Sequence, residues 1–139
     1  MTTAAHALDE TSVAEAMHAG VVTCPPKTPM RAVAGMMFRF GIHAVVVFTE
    51  AGDPPEAAGV WGVVADTDLI GAVAAGDVDD RTAGGAARTP PVTIQPHEPL
   101  RRAAQLMKEH HVTHLLVVAT GSERPIGVLS ALDLARELS

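Results

Sequence analysis

The chain has 139 residues, 47% of them hydrophobic, which is enough apolar material for one ordinary domain or for two small halves sharing a core. Aromatics are only 3%, with one Trp and no Tyr, and the net charge is −6, so neither a base-stacking single-strand binder nor a duplex binder with a basic face is expected. No run approaches the ~20 apolar residues of a membrane span; the start carries Asp9, Glu10 and Glu15 with no signal-peptide pattern, and the single cysteine excludes an internal disulfide, so a cytoplasmic protein is expected.

Residues 1–10 are polar, Ala-rich and without period, the composition of a flexible tail. Thr11 or Ser12 is placed to cap a short helix running through Met17. Residues 21–24 read as a short extended piece stopped by Pro25-Pro26, with Cys24 as a buried small hydrophobe. Thr28-Pro29 predicts a helix start with a capping hydroxyl and proline at the first helical position. Met30, Val33, Ala34, Met37 and Phe40 then recur on one helical face, and Gly41 ends it.

Residues 44–48 are continuous and mostly β-branched, as in a strand covered on both faces. Residues 49–59 hold glycine, aspartate and two prolines and predict a surface loop. A second strand follows at 60–64. Asp66 or Thr67 can cap the next helix, through Leu69, Ile70 and Val73 to Gly76, and the acidic residues 77–81 form a linker.

The order then starts again. A shift of 70 residues aligns 22–48 with 92–118 without a gap and gives eight identities: Val22/Val92, Thr23/Thr93, Pro26/Pro96, Pro29/Pro99, Arg31/Arg101, Ala34/Ala104, Met37/Met107 and Val47/Val117. The second hairpin loop, 119–124, is shorter, and after it a shift of 65 brings Gly62/Gly127, Val63/Val128, Asp68/Asp133 and Leu69/Leu134 into register. A repeat this regular predicts two copies of one supersecondary unit that pack on each other, since neither half buries enough apolar surface alone. Charge is unequal between them. Residues 1–80 hold three basic and eleven acidic side chains, and residues 81–139 hold seven basic and five acidic, so the second half is the friendlier one for an anion.

Two strand–helix–strand–strand–helix units in tandem, each closed by a glycine-bearing apolar strand and then Asp-Leu, with Ser130-x-x-Asp133 in the second, resemble the cystathionine-β-synthase (CBS) domain family over about residues 11–138. The resemblance implies an α/β (α+β) fold in which repeats at 11–76 and 82–138 pack through their sheets as one pseudo-two-fold module, commonly paired as a homodimer. It implies that the clefts between repeats take an adenosine-containing ligand: AMP, ADP or ATP, and less often S-adenosylmethionine or NAD. The module would be regulatory, an energy-sensing device without catalysis or a required cofactor, acting on an unknown protein partner.

Carried onto this chain, the resemblance makes Ser130 the phosphate contact and Asp133 the ribose contact. The chemistry agrees: N–H groups at a helix start favour an anion, and a carboxylate accepts both hydrogen bonds of a diol. The adenine would lie near Thr93, Ile94, Thr113 and His114. In the first repeat Asp68, Thr23 and His43 mark a degenerate second site, because Ala65 replaces the serine and Asp66 adds a negative charge, disfavouring a phosphate by ~1 kcal/mol or more. That site would be empty or would take a nucleoside carrying little negative charge. The same Ser-x-x-Asp spacing is also that of a helix capping box, and a ligand-free dimerisation scaffold is the alternative reading.

His110, His111 and His114 do not form a metal set, because the repeat places His114 in a strand, off the helical face. No nucleophile–base set, P-loop or GxGxxG is present. Met36, Phe38 and Leu106 lie off the main apolar stripes and are either secondary core or a dimer face.

Overall fold

The computed structural model describes residues 8–49, 59–122 and 124–139; the expected tail over 1–7, most of the first hairpin loop (50–58) and Glu123 of the second lie outside the described residues. Two compact units are present. One is built from the chain up to Val21 together with Val92–Ser139, the other from Val22–Pro91. These packing units are cut differently from the sequence repeats, because each takes its leading short helix from the start of the other repeat.

In the first unit, residues 8–10 are helical and Leu8, expected in the tail, packs against the core. Ser12 caps α1 (Val13–Ala16): its hydroxyl accepts from the Glu15 N–H, and the Glu15 carboxylate accepts from the Ser12 N–H. β1 (His18–Ala19) follows, a strand the sequence did not announce. The chain leaves for the second unit at Val22 and returns at Val92. It continues as β5 (Thr93–Ile94), α5 (Leu100–His110), β6 (His114–Val118), β7 (Pro125–Ser130) and α6 (Ala131–Leu138). The sheet order is β1-β7-β6-β5, antiparallel except for the β5–β6 pair. The core joins Val13, Ile94, Leu100, Met107, Leu115, Val117 and Leu129, all buried. Each such side chain contributes about 1.5–3 kcal/mol by leaving water.

The second unit repeats the plan as β2 (Thr23–Cys24), α2 (Met30–Phe40), β3 (Ala44–Phe48), β4 (Val60–Ala65), α3 (Asp66–Ala75) and α4 (Ala83–Ala86). Its sheet order is β2-β3-β4. The core joins Cys24, Met30, Val33, Met37, Val45, Val47 and Val64. Val46, on the other face of β3, is buried as well, as the continuous apolar run predicts. Burial raises the Cys24 thiol pKa, and a hydrogen bond to Thr28 opposes the shift.

The leading helices enter their units by equivalent bonds. Val13 N–H donates to Glu98 O and Leu100 N–H to Thr11 O in the first unit; Ala83 N–H donates to Thr28 O and Met30 N–H to Arg81 O in the second. Thr82 caps α4 as Ser12 caps α1, accepting from Gly85 N–H. Residues 77–81, read as a linker, are tied into the second unit: Asp77 pairs with Arg81, Asp79 with Arg31, and Val78 packs on the core.

Three local expectations are corrected. Pro29, not Thr28, is the N-cap of α2 and no side chain caps that helix, because the helix begins one residue later than expected and proline has no side-chain acceptor. Neither Asp66 nor Thr67 is the cap of α3: Asp66 is already its first residue and Ala65 is the N-cap. Phe40 is exposed at the last residue of α2, past the end of the buried stripe formed by Met30, Val33 and Met37. Of the off-stripe residues, Met36 and Leu106 pack against the two cores, while Phe38 is 92% exposed. α2 ends as expected at Gly41, in the left-handed conformation at φ 62°, and His111 holds the matching place after α5 at φ 55°.

Gly35 lies on the exposed face of α2 with open space where a Cβ would stand. Gly35→Ala is expected to raise stability by about 0.5–1 kcal/mol through lost backbone freedom in the unfolded chain, read as a higher urea midpoint at unchanged slope. A lower midpoint would contradict an exposed helical position there.

Candidate functional site

In the first unit the sheet ends where β7 hands over to α6. Ser130 is the last residue of β7 and the N-cap of α6, with φ −111° and ψ 164°. A period of two puts Val128 and Ser130 on the face opposite the core, while Leu129 points into it; Ile126, at the register shift, packs against the core. His114 is the register partner of Ser130 across β6, so the two share that face. Thr113 precedes it; its carbonyl accepts the Ala131 N–H at 2.8 Å and its hydroxyl is 3.0 Å from His114 Nδ1. The fold therefore brings Ser130, Thr113 and His114 together with Asp133, although the chain places them up to twenty residues apart.

The other two expected contacts sit differently. Thr93, exposed on β5, is opposite Leu116 and shares the face of Ser130, but it is two residues along and two strands across, about 7 Å and about 10 Å away. Ile94 is in register with Val117 and its side chain is in the core, so only its backbone is available to a ligand at this face.

Asp133 is the most constrained group of the site. It is fully buried. Oδ2 accepts the Ser130 N–H at 2.8 Å and the Ser130 hydroxyl at 3.0 Å, while the Asp133 N–H returns to that hydroxyl at 3.2 Å, completing a capping box. Oδ1 accepts Arg136 Nη1 at 2.9 Å, one turn along α6, and lies 3.1 Å from His18 Nε2 on β1. His18 reaches it because β1 pairs with β7, His18 opposite Val128. Neither Arg136 nor His18 was singled out in the sequence: the (i, i+3) spacing of Arg136 was a readable signal, but His18 carried none, because nothing in residues 11–21 marks a strand.

In the second unit the same place is poorer. Ala65 caps α3 without a side-chain bond, and Asp68 makes one hydrogen bond among the described residues, accepting the Ala65 N–H at 2.8 Å. Partial burial raises the Asp68 pKa most; the Ala65 N–H and the Arg88 charge lower it, and Asp66 raises it. The Asp66 carboxylate lies 3.3 Å from His43 Nδ1, so a protonated His43 offsets the second negative charge expected to repel a phosphate. Thr23, the equivalent of Thr93, is exposed on β2 opposite Val46.

Trp61 stands at the far end of β4 from Ala65, about 13 Å along the strand, with its indole N–H on Gly84 O at 2.9 Å. It lines a shallow cavity of about 440 Å³ with Pro26, Lys27, Thr49, Thr82 and Gly84, away from Asp68. The three histidines near the end of α5 diverge: His111 ends the helix in the left-handed region and His114 opens β6. Among the described residues no helix is long and apolar enough to cross a membrane.

No curated protein matches the chain. Solved structures do. A CBS domain protein from Pyrobaculum aerophilum, complexed with AMP, is 26% identical at a TM-score of 0.77, covering 92% of this chain and 98% of its own. Hypoxic Response Protein I, solved with two coordinated zinc ions, is 25% identical at a TM-score of 0.68, covering 93% of this chain and 100% of its own. The CBS domain pair of protein MJ0100, in complex with 5′-methylthioadenosine and S-adenosylmethionine, shares the fold at 18% identity and a TM-score of 0.76, covering 91% and 94%. The CBS domain family model matches twice, at residues 13–75 and 83–139, in the order and at the places where the two copies of the strand–helix–strand–strand–helix unit lie. The chain belongs to the CBS domain family, as a tandem pair.

Proposed function

We propose that this chain is a non-catalytic regulatory module that binds an adenosine-containing ligand at the end of β7 and passes its occupancy to a protein partner. The observation that carries this reading is the convergence of Ser130, Asp133, Thr113 and His114 at one strand-to-helix junction, with a hydroxyl and a carboxylate suited to the two polar parts of a nucleotide. AMP in the Pyrobaculum aerophilum relative supports the ligand class. The degenerate Asp68 site lacks the hydroxyl and suits a ligand without a phosphate beside the ribose. A cytoplasmic, energy-sensing role and a homodimer complete the proposal; exposed Phe38, Ile70, Val73 and Leu132 supply apolar surface for self-association.

Isothermal titration with AMP, ADP, ATP, NAD and S-adenosylmethionine tests it, after heat release and chromatography for co-purified nucleotide. Saturable binding of a phosphorylated member is expected, weakened by Ser130→Ala through the lost hydroxyl by about five- to tenfold. The scaffold reading draws on a specific observation too: every oxygen of Asp133 is already satisfied internally, as in a purely structural cap. Absence of binding by all five, with no nucleotide carried through purification, would favour it.

A further inference from the structure

Asp133, the residue expected to read a ribose, has no exposed surface, and what covers Oδ1 is Arg136 at 2.9 Å and His18 at 3.1 Å. Both covering side chains are themselves open to solvent, Arg136 54% and His18 69% exposed, so either can swing out without opening the core. The equivalent carboxylate of the second unit has no such cover: Asp68 is half-buried, accepts one backbone N–H and makes no ion pair with Arg88 or any other cation among the described residues. Two sites of one origin thus differ in whether their carboxylate is engaged.

We infer that Arg136 and His18 are an internal occupant of the Asp133 carboxylate that a ribose diol must displace, so that Arg136 sets the affinity of this site. The inference rests on the reading of Asp133 as the ribose contact. A diol donates two hydrogen bonds to one carboxylate, and Oδ2 is held by the Ser130 N–H and hydroxyl. The diol therefore needs Oδ1, which is the oxygen that Arg136 and His18 hold. Displacement has a consequence beyond affinity. His18 belongs to the two-residue strand β1, paired with β7 at Val128 and Gly127 and followed by the Gly20 N–H on Ile126 O, so a ligand that removes its side-chain anchor loosens the segment leading out of this unit. Asp68, held by one backbone N–H and no side chain among the described residues, takes a ribose without this competition.

The test uses the full chain with Asp68→Asn as background, so that titration reads the Asp133 site alone. Adenosine is the probe and 2′,3′-dideoxyadenosine the control, because only the former carries the diol. Adding Arg136→Ala is expected to raise adenosine affinity about two- to fivefold, the range of a partly exposed ion pair, and to leave dideoxyadenosine unchanged. Adding Asp133→Asn should remove the gain. Arg136→Gln, which removes the charge while keeping a longer polar side chain than alanine, serves where the alanine variant folds poorly, and thermal melting checks both. Unchanged or weaker adenosine binding in folded Arg136 variants, with nucleotide still bound by the parent chain, overturns the displacement and leaves the ligand reading standing. Failure of the parent chain and every variant to bind any of these compounds overturns both.

Discussion

Asp133→Ala is expected to lower stability by about 2–4 kcal/mol, well beyond the ~1 kcal/mol of Ser130→Ala, in urea denaturation of the two variants side by side. Alanine at 133 removes the acceptor of the Ser130 N–H and hydroxyl together with two bonds from cationic or potentially cationic donors. It also leaves a hole in a fully buried place. Alanine at 130 removes only the hydroxyl, and the backbone N–H keeps its carboxylate partner at 2.8 Å. Hydrogen bonds to a charged group are each worth more than neutral ones, which is why the aspartate should dominate the pair. Equal costs for the two variants would mean that Arg136 and His18 do not engage Asp133 in solution, and would remove the basis of the displacement inference as well.

The second large effect is expected at the two glycines of the repeated motif. Gly62→Ala and Gly127→Ala should each cost about 3 kcal/mol, the upper range for forcing atoms into a packed place. The ideal Cβ at Gly62 would overlap the carbonyl of Arg88, and that at Gly127 would stand 2.5 Å from His18 O and 2.8 Å from Met17 Sδ. In both units a backbone segment runs directly against the strand there. Val63 and Arg88 exchange hydrogen bonds at 3.1 and 2.9 Å, and β1 pairs with β7 with Ala19 opposite Gly127. Because the nearest obstacle in each case is main chain, Arg88 O or His18 O, it moves only by breaking those bonds. Loss of less than about 1 kcal/mol in either variant would show that the crossing segment is loosely held.

These glycines show how much the sequence conveyed. Their matched places, Gly62 and Gly127, marked the repeat and so the family, but the reason for them lies in residues 88 and 18, which resemble each other too little to be paired by inspection. The same holds for Asp133. Its capping partner Ser130 is three residues away and was legible as a motif, and Arg136 follows by helical spacing; His18 is 115 residues distant in the chain and reaches it only through a two-residue strand. Thr113 and His114 were expected near Ser130 from the resemblance, and antiparallel register puts them there. Ile94 was expected beside them, but strand alternation turns its side chain into the core.

The sequence alone determined the plan of each unit, because hydrophobic period, glycine stops and the offset of 70 residues are local properties repeated twice, and repetition separates pattern from chance. It also determined that the two matching strand-to-helix junctions differ, since Ala65 has no hydroxyl wherever the chain folds. Only the tertiary structure decided which segments pack together: the leading helices α1 and α4 each cap the unit of the other repeat through backbone bonds that carry no side-chain signature. It decided as well that the better-equipped carboxylate is the covered one. A buried charge must find partners, and at Asp133 two of the donors come from the side chain and backbone of its own cap, a third from the next turn of its helix, and the fourth from a strand at the other end of the chain.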